Sequence, residues 1–212
     1  DLVPESDIPQ LVLSPYVAGL DTVANTLGSA LYALMKNPDI LARARAEVEA
    51  IGELDEAALR NMPVIQGIML ETLRLYPINV AAMRTADRDF DFAGYHIPEG
   101  TMLFCASTVS HFMPEFFPDP YKFDIDRFQP PRREHMKPFA FSAFARGPHT
   151  CLGQGLAEIL MMLTLAVMVR KVEMRLDPPD YVMKLRAVPT PGPADDFHVH
   201  IERYRTPGLP AH

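Results

Sequence analysis

The stretch that decides the fold is Phe144-Ala-Arg-Gly147-Pro-His149-Thr-Cys151-Leu-Gly153, which is followed by an apolar run over residues 159–169. It is a glycine-containing loop that delivers a cysteine to the start of a long helix. Unpaired N–H groups and the positive end of the helix dipole favour the thiolate form of such a cysteine. The two outer glycines permit unusual backbone angles and the close approach of a flat ligand. The pattern predicts that Cys151 binds a metal.

The sequence leaves two other interpretations of Cys151. Cys151 could be a small buried apolar residue, as many free cysteines are. A tetrahedral zinc site fits poorly, because it needs several Cys or His ligands and only His149 lies nearby. Cys105 lies in the apolar segment Met102-Leu-Phe-Cys-Ala and is expected in the core, without a chemical role.

Composition excludes several classes of protein. The formal net charge of −7 argues against a nucleic-acid partner, which would require a clustered cationic face. Two cysteines do not suggest a disulfide-stapled domain, so a reducing compartment is expected. The eleven-residue apolar run is short of the roughly 20 residues that span a bilayer, and no signal peptide is visible. We expect a cytoplasmic, soluble protein and leave membrane association open.

The first third of the sequence has a helical pattern. A long helix is predicted over residues 8–36, buried on most sides, with a local break caused by Pro15 and Gly19. Asn37-Pro38 starts an amphipathic helix that ends at Gly52. A short helix over residues 54–61 and another over residues 63–76 complete this part.

The remainder alternates strands, irregular proline-rich stretches and one strongly apolar helix. Short strands over 84–86, 90–92, 95–97 and 101–106 predict a small antiparallel sheet. Prolines between 114 and 138 and between 178 and 193 predict long irregular connections. A helix follows over 152–171, then strands over 172–176, 182–188 and 197–204. The fold class is therefore mainly α with small antiparallel β-sheets.

The cysteine segment resembles the haem-binding signature of the cytochrome P-450 family, Phe-x-x-Gly-x-(Arg or His)-x-Cys-x-Gly. Every defined position is filled, by Phe144, Gly147, His149, Cys151 and Gly153. The resemblance implies a haem b cofactor, with Cys151 as the iron ligand and the other four residues binding the cofactor.

A second segment, Ala18-Gly-Leu-Asp21-Thr22, is similar to the family's distal motif Ala-Gly-x-(Asp or Glu)-Thr. An acid beside an alcohol, at a break in a buried helix, can carry protons through ordered water. The resemblance implies proton delivery by Asp21 and Thr22 and a substrate-facing Ala18. On its own, the Asp-Thr pair would more often lie on the surface.

A third segment, Glu71-Thr-Leu-Arg74, matches the family's Glu-x-x-Arg, and its i,i+3 spacing puts both charges on one helix face. The segment ending in Asp126-Arg127-Phe128 resembles the region whose arginine joins that pair in a buried structural network. Asp126 stands where the family more often has Glu. The alternative is a solvated helical ion pair of small energetic effect.

The family resemblance also implies cofactor and substrate contacts elsewhere. Arg84 and His149 stand at positions that pair with the haem propionates in the family. The alternative is that Arg84 is an exposed strand residue and His149 a loop residue, neither of which binds a cofactor. The residues after the Glu-x-x-Arg helix are expected to face a lipophilic substrate: Ile78, Asn79, Val80, Ala81 and Ala82.

The resemblance covers essentially the whole sequence, so residues 1–212 are expected to form the C-terminal, haem-binding part of a single cytochrome P-450 domain whose N-terminal part is absent. It implies a monooxygenase that activates dioxygen to hydroxylate a small lipophilic substrate. A basic loop could bind an electron donor such as ferredoxin or a reductase, or could be a solvated charge run: Arg132, Arg133, His135, Lys137 and Arg146.

Two alternatives for function remain at this point. One is a haem-thiolate peroxygenase or isomerase, which the presence of Thr22 disfavours. The other is an inactive fragment that needs a complementing N-terminal half to bind haem.

Overall fold

A computed structural model describes residues 3–205 of the chain. The α-helices in these residues are α1 (Ile8–Lys36), α2 (Pro38–Ala50), α3 (Glu56–Leu59), α4 (Pro63–Leu75) and α5 (Gln154–Lys171). Their bounds confirm the predicted helices within two residues, except that α3 is shorter than expected. The side chain of Asn37 does not cap α2, because its Nδ2 donates to Ala33 O at 2.8 Å.

The strands form short antiparallel pairs, β1 with β4, β2 with β3, β5 with β8 and β6 with β7. Their bounds are β1 (Ala82–Thr85), β2 (Phe90–Phe92), β3 (Tyr95–Ile97), β4 (Met102–Cys105), β5 (Val172–Asp177), β6 (Leu185–Arg186), β7 (Gly192–Pro193) and β8 (His198–Tyr204). This confirms a mainly α fold with small antiparallel sheets.

Three details of the strand prediction were wrong. The first four strands do not form one sheet. Instead β2 and β3 form a hairpin of their own around Ala93-Gly94, where both φ angles are positive, at 49° and 83°. The strand predicted over 182–188 is reduced to the two residues of β6. Its partner β7 lies in a proline-rich stretch whose composition does not indicate a strand.

Helix α1 differs from expectation in two ways. It runs unbroken through Pro15 and Gly19, because a proline removes a single backbone hydrogen bond and a long helix tolerates that loss. It is also buried only in its second half. The first half exposes the apolar side chains of Leu11, Val12, Leu13, Tyr16, Val17 and Leu20, since no described element covers them.

The core lies where the second half of α1 meets α2, α4 and α5. Leu34, Ile65, Ile68 and Leu165 are at most 2% exposed there. The predicted core helix α5 is confirmed by its buried residues Met161, Leu165 and Val169. Across residues 3–205, no helix combines the length and the apolar character that crossing a membrane requires. Phe141, Ala143 and Phe144 of the loop before α5 pack against this core.

Candidate functional site

The carboxylate of Glu71 and the guanidinium of Arg74 lie on one buried face of α4. Arg74 Nε donates to Glu71 Oε2 at 2.7 Å and Nη2 donates to Oε1 at 2.9 Å, so the pair is bidentate. Both side chains are 0% exposed. The alternative that Glu71 and Arg74 form a solvated ion pair is therefore excluded.

The predicted third member, Arg127, joins this pair from a 3₁₀ turn at Ile125–Phe128. Its Nε donates to Glu71 Oε1 at 3.2 Å, and its Nη1 reaches Glu134 Oε2 at 3.1 Å. We call these four side chains, Glu71, Arg74, Arg127 and Glu134, the charge network. Asp126 lies outside it and forms an exposed bidentate pair with Arg43.

The charge network is satisfied almost completely by protein groups. Glu71 also accepts a hydrogen bond from Asp124 N at 2.9 Å, and the guanidinium of Arg127 donates to Pro118 O at 2.5 Å and to Asp119 O at 2.6 Å. Burial raises the pKa of the Glu71 carboxyl, and the two guanidiniums and the Asp124 N–H oppose that effect. Two carboxylates balance two guanidiniums, which allows these charges to be buried together.

Sequence reasoning missed two residues at this site, Glu134 and His111. Glu134 is 6% exposed and His111 is 0% exposed. Glu134 also holds Arg132, at 2.7 Å, so that part of the basic loop is already paired within the fold. No motif predicts either contact. The signal available was the separate occurrence of an acid and a histidine in otherwise proline-rich loops.

Residues 141–153, here called the cysteine loop, present Cys151 just before α5. Gly147 has a φ of +70°, Thr150 N donates to Gly147 O at 3.1 Å, and Cys151 N donates to Phe144 O at 2.8 Å. The thiol is free and exposed. Cys151 lies three residues before the helix, and Gly153 occupies the cap position. Cys151 is therefore not the small buried residue of the alternative interpretation.

A cleft of about 350 Å³ separates the β1–β4 pair from the cysteine loop. Its walls carry two guanidinium groups and several small or apolar side chains: Ala82, Arg84, Cys105, Ser107, Phe139, Ser142, Ala145 and Arg146. Two predicted site residues, Arg84 and Ala82, thus lie beside the loop that carries Cys151. The prediction of a core position for Cys105 was wrong, because the two-stranded ladder leaves this face of β4 uncovered.

The other predicted site residues lie away from this cleft. Thr22 is half-buried on α1 and its hydroxyl donates to Ala18 O at 2.8 Å, whereas Asp21 is exposed. Because α1 is continuous there, the Thr22 hydroxyl contacts a helix carbonyl and does not fill a gap in the helix. His149 is exposed in a 3₁₀ turn of the cysteine loop, at Gly147–His149.

The segment between α4 and β1 contains the expected substrate residues. Val80 and Asn79 are exposed, Ile78 and Ala81 are half-buried, and Val80 O accepts a hydrogen bond from Thr108 Oγ1 at 3.0 Å. This contact fixes the backbone just before β1. The apolar side chains here remain accessible to a ligand.

The residues present fit a haem group. The Cys151 thiol is accessible, and a Cβ added at Gly147 or at Gly155 would meet no atom within 4 Å, so the backbone on either side of Cys151 borders open space. Arg84 and Arg146 supply positive charge for carboxylate groups. Residues 3–205 contain no cluster of three or more His, Cys, Asp or Glu side chains that would favour a different metal site.

Comparison with protein families gives a match to the cytochrome P450 model over residues 3–192. A probable cytochrome P450 4s3 of Drosophila melanogaster is 35% identical over 166 residues, which are 78% of this chain and 33% of the relative. A sterol 14alpha-demethylase of Mycolicibacterium vanbaalenii is 31% identical over 82% of this chain and 40% of its own length.

Solved structures agree with these sequence matches. The haem domain of cytochrome P450DA superposes with a TM-score of 0.86 at 29% identity, covering 98% of this chain and 46% of that chain. A retinoic acid-bound cyanobacterial protein, CYP120A1, gives a TM-score of 0.83 at 31% identity, covering 91% of this chain and 45% of its own.

The fold is thus that of the C-terminal portion of a haem domain. The chain belongs to the cytochrome P450 family. It spans between a third and two fifths of the curated relatives named above, and a little under half of the solved domains. Family membership implies a haem cofactor, and members of the family generally use redox-partner proteins and lipophilic substrates.

Proposed function

We propose that residues 1–212 are the C-terminal, haem-binding part of a single cytochrome P450 monooxygenase domain and that Cys151 is the axial thiolate ligand of haem b. The observation that carries this proposal is the free, exposed Cys151 thiol on a glycine-containing loop beside an arginine-lined cleft. When bound, a haem with a thiolate ligand supplies the oxidising chemistry of such an enzyme.

The remaining residues of the cysteine loop would hold the cofactor. Phe144, Gly147 and Gly153 would lie against it, because the backbone at Gly147 takes a conformation that side chains disfavour and leaves open space. Arg84 and His149 would pair with its carboxylates. The exposed position of both side chains supports this role, since they keep donors available.

Proton supply would fall to Asp21 and Thr22. Asp21 is exposed and can exchange protons with solvent, and Thr22 is the neighbouring half-buried hydroxyl. The Thr22 hydroxyl donates to Ala18 O, which leaves its oxygen lone pairs free to accept a proton-bearing partner. Such a pair would move protons from solvent to the inner side of α1.

The substrate would be a small lipophilic molecule. Ala18 and the segment from Ile78 to Ala82 would contact it, and this segment is mostly apolar. Similar proteins are named for action on apolar compounds, for example the cyclooctat-9-en-7-ol 5-monooxygenase of Streptomyces melanosporofaciens, 30% identical over 81% of this chain and 38% of that relative. We infer that the electron donor is a ferredoxin or a reductase, which family membership supports.

Replacing each cysteine separately by alanine tests the assignment of Cys151 as the haem ligand. The chain is mixed with haem, reduced and exposed to carbon monoxide, and the Soret band is recorded. We expect the red-shifted band of a thiolate-ligated haem in the natural sequence, its loss in Cys151→Ala, and its retention in Cys105→Ala. Cys105 is the matched control because it is the other free, exposed cysteine. An unchanged band in Cys151→Ala would refute the assignment.

One observation favours the second candidate, a chain that binds haem only together with an N-terminal half. The first half of α1 exposes a row of apolar side chains that includes Val17, 79% exposed, and Leu20, 67% exposed. Groups of exposed apolar residues mark surfaces that bind another element. If this candidate is correct, the thiolate-type band is weak in the 212-residue chain and strengthens when an N-terminal P450 half is added.

A further inference from the structure

His111 is a buried histidine to which the proposed function gives no role. It lies in the 3₁₀ turn Val109–Phe112, and both of its ring nitrogens have backbone partners. Nδ1 is 3.2 Å from Arg74 O, and Nε2 is 3.0 Å from Ser142 N. Because a carbonyl accepts and a backbone N–H donates, the ring must carry its proton on Nδ1 and leave Nε2 bare.

These two partners belong to different parts of the site. Arg74 is a member of the charge network, and its Nη1 also donates to His111 O at 2.5 Å, so the histidine is tied to α4 twice. Ser142 begins the turn of the cysteine loop in which Ala145 N donates to Ser142 O at 3.1 Å. Phe144 lies two residues after Ser142 in the same loop, and its carbonyl oxygen accepts a hydrogen bond from Cys151 N at 2.8 Å.

The ring is also fixed by aromatic packing. It stacks on Phe141 with centroids 5.0 Å apart and an angle of 15° between the planes, and it meets the edge of Phe117 at 6.4 Å. Phe141 is itself part of the cysteine loop. The histidine is therefore held between α4 on one side and two successive residues of the cysteine loop on the other.

We propose that His111 is a positioning residue that links Arg74 of the charge network to Ser142 of the cysteine loop and so fixes the backbone that presents Cys151. The link requires a neutral ring, since a protonated Nε2 cannot accept the Ser142 N–H. Burial and the charges of Arg74 and Arg146 lower the pKa of His111 to about 4, which keeps the ring neutral near pH 7. Its bearing on haem ligation rests on the proposed role of Cys151.

Two amide substitutions separate this role from simple filling of space. The His111→Gln side chain places its amide near the ring Nε2 and can still accept from Ser142 N. The amide of His111→Asn lies near the ring Nδ1 and reaches only Arg74 O. We expect His111→Asn to raise hydrogen exchange at the amides of Ser142, Ala145 and Cys151 by tenfold or more, and His111→Gln to leave them near natural rates.

The exchange is measured by NMR on the haem-free chain, with the Leu41 amide of α2 as an internal reference, because it bonds to Asn37 O far from the loop. Equal effects of both variants, an equal rise at Leu41, or a rise confined to Ser142 would overturn the proposal. Failure of the carbon monoxide test would instead remove the haem assignment and leave the exchange result standing.

A measurement on the natural sequence covers the case in which His111→Asn does not fold. Nitrogen-15 NMR of the ring at pH 7 reports which nitrogen carries the proton. We expect the Nδ1–H tautomer with a bare Nε2. A charged ring, or the opposite tautomer, would contradict the link to Ser142.

Discussion

The charge network and the first half of α1 reverse the usual distribution of polar and apolar groups. In the charge network, Glu71, Arg74 and Arg127 are 0% exposed, and each finds its partners within the chain. On α1, apolar side chains such as Val17 are exposed to solvent. The difference shows that residues 3–205 provide partners for these buried charges but leave the apolar surface of α1 uncovered.

Energetics explain why the two regions can differ so much. A buried charge without a partner destabilises a fold by several kcal/mol, so a charge network must be complete within one folded unit. An exposed valine is in water in both the folded and the unfolded chain, so it only fails to add the roughly 1.5–3 kcal/mol that full burial would contribute. The second defect therefore destabilises the fold far less than the first.

The largest expected effect is on the charge network. Glu71→Gln leaves Arg74 and Arg127 buried without their shared carboxylate, so we expect the free energy of unfolding to fall by about 3–5 kcal/mol. Urea or thermal denaturation measures it. Glu56→Gln is the control, because Glu56 forms an exposed pair with Arg60 at 2.6 Å, and we expect a change within about 0.5 kcal/mol. Similar losses in both variants would contradict a self-contained network.

The next effect is the pH dependence of stability due to His111. Between pH 6.5 and 4 the unfolded chain binds a proton at this residue and the folded chain does not, because burial lowers the pKa of His111 to about 4. Stability contributed by the neutral ring is present above pH 6.5 and is lost as the pH falls. We expect a loss of up to roughly 3 kcal/mol over that range.

Denaturation at pH 7, 6 and 5 measures this slope in the natural sequence, in His111→Asn and in the exposed-histidine control His198→Asn. The slope should become shallower in His111→Asn only. Each variant's absolute stability does not matter, since the comparison is between slopes. Equal slopes in all three chains would show that folding does not lower the pKa of His111.

Much of the fold is predictable from local sequence signals. Asn37-Pro38 stops α1 at the predicted residue, and the Ala93-Gly94 turn gives the bounds of β2 and β3. The pairing of Glu71 with Arg74 follows from their spacing on one helix. Such features depend on residues that are close in sequence, so they can be predicted without knowing the tertiary contacts.

The features that could not be predicted depend on long-range contacts. Glu134 belongs to the charge network and His111 contacts it, and both residues lie in irregular loops that no sequence periodicity predicts. The exposure of Cys105 depends on the β1–β4 pair lacking a cover, and an apolar strand sequence does not reveal that. The motif resemblance predicts that Glu71, Arg74 and Arg127 meet, whereas the contacts of Glu134 and His111 are seen only in the structure.

The smallest effect is expected for Val17, which we compare with Val48, a valine in another α-helix. Val17 on α1 is 79% exposed and Val48 on α2 is 0% exposed. Replacement by alanine changes helix propensity equally in both, so the difference between the variants reports burial alone. In the 212-residue chain we expect Val48→Ala to cost roughly 2 kcal/mol and Val17→Ala to change stability by less than about 0.5 kcal/mol. Equal losses would mean that this face of α1 is covered in solution, and a dependence of the Val17→Ala effect on protein concentration would identify a second copy of the chain as the cover.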